Sequence, residues 1–205
     1  PYLERMNASL AYYKGIPLRK DYPYINKWFQ SLEETDEYRG TQGDLHTHAH
    51  DLPPQMGGCF TFSNSNQQLF AKKIDTGFGL GELEVTDLKV DKNLEEEFKA
   101  FALERVIKHK EKIIAVNPMG NKSFDQPLRA ALTSMISSNI CLPDKDSASA
   151  LRYLRDRISV PRDMPLISGR FFRQALERTA NIDGSSQGPK IPTRNRLDQN
   201  PIQFK

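Results

Sequence analysis

Cysteine is scarce in this sequence. Cys59 and Cys141 are the only two and stand far apart, so the fold needs no disulfide framework and suits a reducing compartment, with each thiol expected to pack as a small hydrophobe. Long apolar runs are missing too. No stretch approaches eighteen apolar residues, and no charged start leading into an apolar core marks a secretion signal within these residues, so no helix long enough to cross a bilayer is expected. Charge of one sign is also in short supply. A net charge of +3 is too small to point to nucleic acid. What is present, 38% hydrophobic and 27% charged residues with 13 prolines, is enough to bury a core while leaving many turns.

Apolar periodicity predicts a mainly α-helical protein in four parts. Residues 1–42 read as helices, the first carrying Tyr2, Leu3, Met6, Leu10 and Tyr13 at three- and four-residue steps up to Gly15 and Pro17. Pro1, with no N-cap before it, reads as a cut within a helix. The next helix starts near Asp21-Tyr22-Pro23, presents Ile25, Trp28, Phe29 and Leu32, and closes at Tyr38-Arg39-Gly40, with Trp28 expected as a core anchor. Residues 43–90 hold Pro53-Pro54, Gly57-Gly58, an Asn/Ser/Gln cluster and Gly77, Gly79 and Gly81, which read as a long irregular connector wrapping other surfaces. These glycines do not make a dinucleotide fingerprint.

Residues 91–182 read as a small helical bundle. Its first helix runs from Asp91 to Val116 with acids in the first turns, lysines in the last, and a stripe of Leu94, Phe98, Phe101, Ala102, Val106, His109, Ile113 and Val116. His109 is expected to pack in the core. Helices follow at Pro127–Ile140, Asp146–Ile158 and Ser168–Ile182, the last two joined by a corner at Val160-Pro161-Arg162-Asp163-Met164-Pro165. Residues 183–205 are rich in Gly, Pro, Ser, Asn and Gln and read as an extended tail. Ordering such a segment costs about 1 to 2 kcal/mol per residue, so it needs external contacts, with Arg194, Arg196, Ile202 and Phe204 as the partner-binding groups.

Two clusters carry possible chemistry. Between Asp146 and Ile182 stand seven arginines, four acids and no lysine. Guanidinium forks fit carboxylates and phosphates, so Arg152, Arg155, Arg170 and Arg173 are candidates for holding a partner, against the plainer reading of a solvated face laced with ion pairs. His46, His48 and His50 alternate ahead of Cys59, which puts nitrogen and sulfur donors within one bent loop. Their spacing matches no standard zinc module, so a polar connector without metal is the expectation. No Gly-x-Ser-x-Gly elbow is present, and Cys59 is not expected to be catalytic.

The runs Pro1-Tyr2-Leu3-Glu4-Arg5-Met6 and Tyr22-Pro23-Tyr24-Ile25-Asn26-Lys27-Trp28-Phe29 resemble the last helices of the glutathione transferase helical domain. Tyr38-Arg39-Gly40-Thr41-Gln42, His48-Ala49-His50-Asp51-Leu52-Pro53-Pro54-Gln55, Gly57-Gly58-Cys59 and Tyr153-Leu154-Arg155-Asp156-Arg157-Ile158-Ser159-Val160-Pro161-Arg162-Asp163-Met164 narrow the resemblance to the iota-class glutathione transferases of cyanobacteria, algae and lower plants, which append a C-terminal region to the transferase fold. The resemblance covers Pro1 to about Thr179, patchily from 60 to 145. It implies a photosynthetic host and a place in the chloroplast stroma or on the stromal face of the thylakoid, or in the cytoplasm of a cyanobacterium. It also implies glutathione for an N-terminal half that these residues do not contain, so no cofactor is expected in this region and no catalytic residue carries over. Two functions follow as expectations. One is an interaction or scaffold region docked on other protein subunits of a larger assembly peripheral to a membrane, without nucleic acid; the other is the C-terminal part of an active glutathione-dependent transferase or reductase.

Overall fold

The computed structural model describes residues 2–55, 60–84, 92–119 and 121–182. The protein is mainly α-helical, with ten α-helices and no strand among the described residues. They belong to two compact units that divide between residues 88 and 89.

In the first unit, α1 (Tyr2–Ser9) runs into a single π-helical turn, Leu10–Lys14, which ends at Gly15. Short helices α2 (Leu18–Asp21), α3 (Pro23–Glu33) and α4 (Asp36–Thr41) follow, then α5 (Leu45–Gln55) and α6 (Ser65–Thr76). The core is Ala8, Ala11, Tyr12 and Tyr13 from the first helix against Leu45 and Ala49 of α5 and Phe70 and Ile74 of α6. A polar seam lies under α3, where buried Arg19 pairs with both oxygens of Glu33 at 2.6 and 3.0 Å, donates to Asn26, and sits over the Phe29 ring.

The irregular connector expected over 43–90 is corrected here. Two of its stretches are helices, each with its first amides capped. Asp44 accepts from the Thr47 amide at 2.9 Å and Glu84 from the Leu45 amide at 3.0 Å, placing two carboxylates on the N-terminal amides of α5. Asn64 accepts from the Gln67 amide at 2.8 Å to start α6, and Gly77 closes it. The Asn/Ser/Gln cluster is therefore a helix start, with Gln67, Phe70 and Ile74 buried on one face.

The second unit holds α7 (Lys92–Val116), α8 (Asp125–Ser137), α9 (Ala148–Arg157) and α10 (Leu166–Ile182). Leu128, Ala131, Met135, Leu151, Phe172 and Leu176 fill its centre, and Ala102 and Val106 close it from α7. Two aromatic expectations fail on rotation about a helix axis. Trp28 is 43% exposed while its neighbour Phe29 is the buried ring, and His109 is exposed although Ala102 and Val106 of the same expected stripe are buried, with Ile114 rather than Ile113 the inward residue near the end of α7. No described helix is long and apolar enough to cross a membrane.

Candidate functional site

Residues four apart on a helix share a face, and residues two apart do not. Folding 45–55 into α5 therefore separates the alternating histidines: His46 and His50 face one way and His48 the other.

His46 and His50 are 2% and 1% exposed, with ring centroids 4.5 Å apart. Asp75 of α6, 25 residues from His50 in sequence, brings Oδ1 to 2.8 Å from His50 Nε2, the carboxylate accepting. The Tyr12 hydroxyl donates to Asp75 Oδ2 at 3.2 Å, and its ring stands edge-on to His50 at 4.8 Å. The π-turn allows this placement. Consecutive residues of a helix point about 100° apart, yet Tyr12 and Tyr13 are both buried, Tyr12 reaching Asp75 and Tyr13 donating to the Ala49 carbonyl of α5 at 2.8 Å. Gln67 holds the turn against α6 by donating to the Tyr12 carbonyl at 2.7 Å.

Across α5, His48 Nε2 lies 3.8 Å from Glu4 Oε2, and the Tyr38 hydroxyl donates to Glu4 Oε1 at 2.5 Å. Burial pushes the Glu4 carboxyl upward, but the nearby His48 ring and the hydrogen bond from Tyr38 outweigh it and hold Glu4 below the usual range. Burial, with the Glu4 charge beside it, drives the Tyr38 phenol well above its ordinary value. Gly43 lets the His48 ring lie against the chain, since a Cβ there would stand 2.5 Å from His48 Nε2.

The arginine block is laced with ion pairs, as the plainer reading expected, but part of it is buried rather than solvated. Arg155 and Arg173 are 7% and 2% exposed. Arg155 reaches Glu177 of α10 at 2.5 Å and Asp156 at 2.7 Å, Arg152 reaches Glu177 at 3.1 Å and Asn181 at 2.7 Å, and Arg173 donates to the carbonyls of Arg155 and Ile158. Partner binding by Arg155 and Arg173 is thus corrected: their forks join α9 to α10 inside the unit. Arg170 is half-buried. Cys59, Arg194, Arg196, Ile202 and Phe204, with the tail 183–205, lie outside the described residues.

Protein-family models, curated proteins and solved structures yield no match to this chain. The site must therefore be read from its own chemistry. Two imidazoles and a carboxylate converge, their candidate donor atoms all within 4.8 Å of one another, and only the Asp75 side chain, 35% exposed, opens to solvent. Sequence reasoning had the histidines but not Asp75, whose only signal was the capped helix that carries it.

Proposed function

We propose that this chain is a noncatalytic interaction region of a glutathione transferase-like protein, docked on other subunits of a larger photosynthetic assembly at the stromal face of the thylakoid. The observation that carries the reading is the aromatic strip at the start of α3, where Tyr22, Tyr24 and Trp28 are 51%, 89% and 43% exposed. Tyr24 and Trp28 stand one helical turn apart on the same face. Tyrosine and tryptophan bury large area at little entropic cost and dominate the binding energy of protein interfaces. The resemblance of Tyr22 to Phe29 and of Tyr38 to Gln55 to iota-class transferases supports the photosynthetic setting.

The proposed docking surface is the exposed strip of α3 rather than the arginines of α9 and α10, and the buried forks of Arg155 and Arg173 support that choice. The full chain, tagged and produced in a photosynthetic host, should co-fractionate with a large stromal-side complex, and Tyr24→Ser with Trp28→Ser should weaken that association at least tenfold, as expected for paired hot-spot residues. Unchanged co-fractionation of the variant would refute the α3 surface. A free protein with glutathione-dependent turnover would favour the transferase reading instead.

A further inference from the structure

We propose that His46, His50 and Asp75 form a binding site for one divalent first-row transition ion of the zinc type.

Four features converge on it. The donor set is complete for a three-ligand centre: two imidazoles one helical turn apart, the spacing at which a helix offers two nitrogens to one ion, and a carboxylate facing them from a second helix. Distances are close to those of a loaded site. Ligands at tetrahedral zinc stand about 3.3 Å apart. The His50 and Asp75 donors are already at 2.8 Å, and all the candidate donor atoms lie within 4.8 Å of one another.

The ligands are also oriented by neighbours in the way metal ligands usually are. Tyr12 fixes the second oxygen of Asp75, Tyr13 anchors α5 through Ala49 between the two histidines, and Gln67 ties the tyrosine turn to α6. That turn is π-helical, a rare form that occurs mostly as single turns and frequently at functional sites. The fourth feature is access. Both histidines are buried, while Asp75 leaves one side open, so an ion can enter there and keep water in its remaining position. Nitrogen and oxygen donors in this ratio suit Zn²⁺, Co²⁺ or Fe²⁺ rather than Ca²⁺ or Mg²⁺.

His48 is excluded by geometry, since it turns to Glu4 on the other side of α5. This supplies the internal control. The whole chain, stripped with a chelator, should bind one Zn²⁺ by calorimetry with a Kd below about 1 µM, and Co²⁺ should give the visible absorption of a low-coordinate nitrogen and oxygen site. Asp75→Asn, at the partly exposed ligand, should keep native circular dichroism and weaken Zn²⁺ at least tenfold, and His46→Gln should do the same or more, while His48→Gln leaves affinity within about twofold. Should His46→Gln lose helicity, Asp75→Asn decides. The proposal is overturned if the natively helical chain binds neither ion more tightly than about 100 µM, if Asp75→Asn binds as the parent does, or if His48→Gln removes the site.

Discussion

Replacing Arg173 with methionine probes how the second unit is held together. The guanidinium is almost fully buried and donates to the Arg155 carbonyl at 3.3 Å and the Ile158 carbonyl at 2.5 Å. These oxygens belong to the last turn and C-cap of α9, where the helix has no amide left to offer. Arg173 is thus a C-terminal cap supplied from another helix, with a positive charge at the negative end of the α9 dipole. Methionine keeps most of the stem volume and removes the desolvated charge, which recovers part of the loss. It also orphans two buried carbonyls, at about 1 to 3 kcal/mol each. The second effect is larger, so unfolding of this unit should fall by about 3 kcal/mol. Urea titration followed by circular dichroism should show a lower midpoint at unchanged slope, with hydrogen exchange fastest to rise in α9. Arg173→Lys, which keeps the charge but not the fork, should fall between the two. A loss under about 1 kcal/mol for the methionine variant would refute the capping role.

Gly15→Ala should destabilise the first unit by about 3 kcal/mol, since Gly15 has φ +73° and an added Cβ would stand 2.6 Å from the Gln67 amide nitrogen; a thermal melt within a degree of the parent would contradict this. Glu4, held below the usual carboxyl range, contributes stability that is present above its unfolded value near pH 4.5 and is lost as pH falls through its folded value. Tyr38 works at the other end: its raised phenol contributes stability fully present below about pH 10 and lost as pH rises further. Melting of the first unit should therefore be flat near neutrality and fall at both extremes. Glu4→Gln should blunt the acid limb, and an unchanged acid limb would show that other carboxyls set it.

Helices with a wide apolar stripe and clear ends were legible in the sequence. The 91–116, 127–140, 146–158 and 168–182 readings each overlap an observed helix, with ends displaced by a few residues at most. The stretch 43–90 was not, because period-two histidines, Pro53-Pro54 and a polar cluster imitate a loop while the decisive contacts are caps. Asp44 and Asn64 were local signals for those caps, but Glu84 reaches the start of α5 from 39 residues away. Phe29 and Val106 turn inward as their stripes predict, but Trp28 and His109 stand at the edges of those stripes and face out, because periodicity fixes a stripe only to within a residue or so. The metal-type cluster was half visible: His46 and His50 share a face once 45–55 is a helix, whereas Asp75 joins them only through the packing of Tyr12 and Gln67. The arginine block gave its composition but not its destination, since a buried Glu177 shared by Arg152 and Arg155 leaves no mark in sequence beyond the preference for arginine over lysine.

The π-turn at Leu10–Lys14 makes residue number, rather than residue type, the sensitive variable in the first helix. A π-turn is an α-helix that has absorbed one extra residue, so everything after it is set back by about 100° relative to what precedes it. Removing one residue would mend the helix and straighten its hydrogen bonds while swinging Tyr12 away from Asp75 or Tyr13 away from Ala49. The segment acts as a phase shifter, trading local regularity for two aromatic contacts that a regular helix could not make together. In related chains, a single-residue gap here would therefore signal a change of function around α5 and α6, whereas conservative replacements at Leu10 or Ala11 would not.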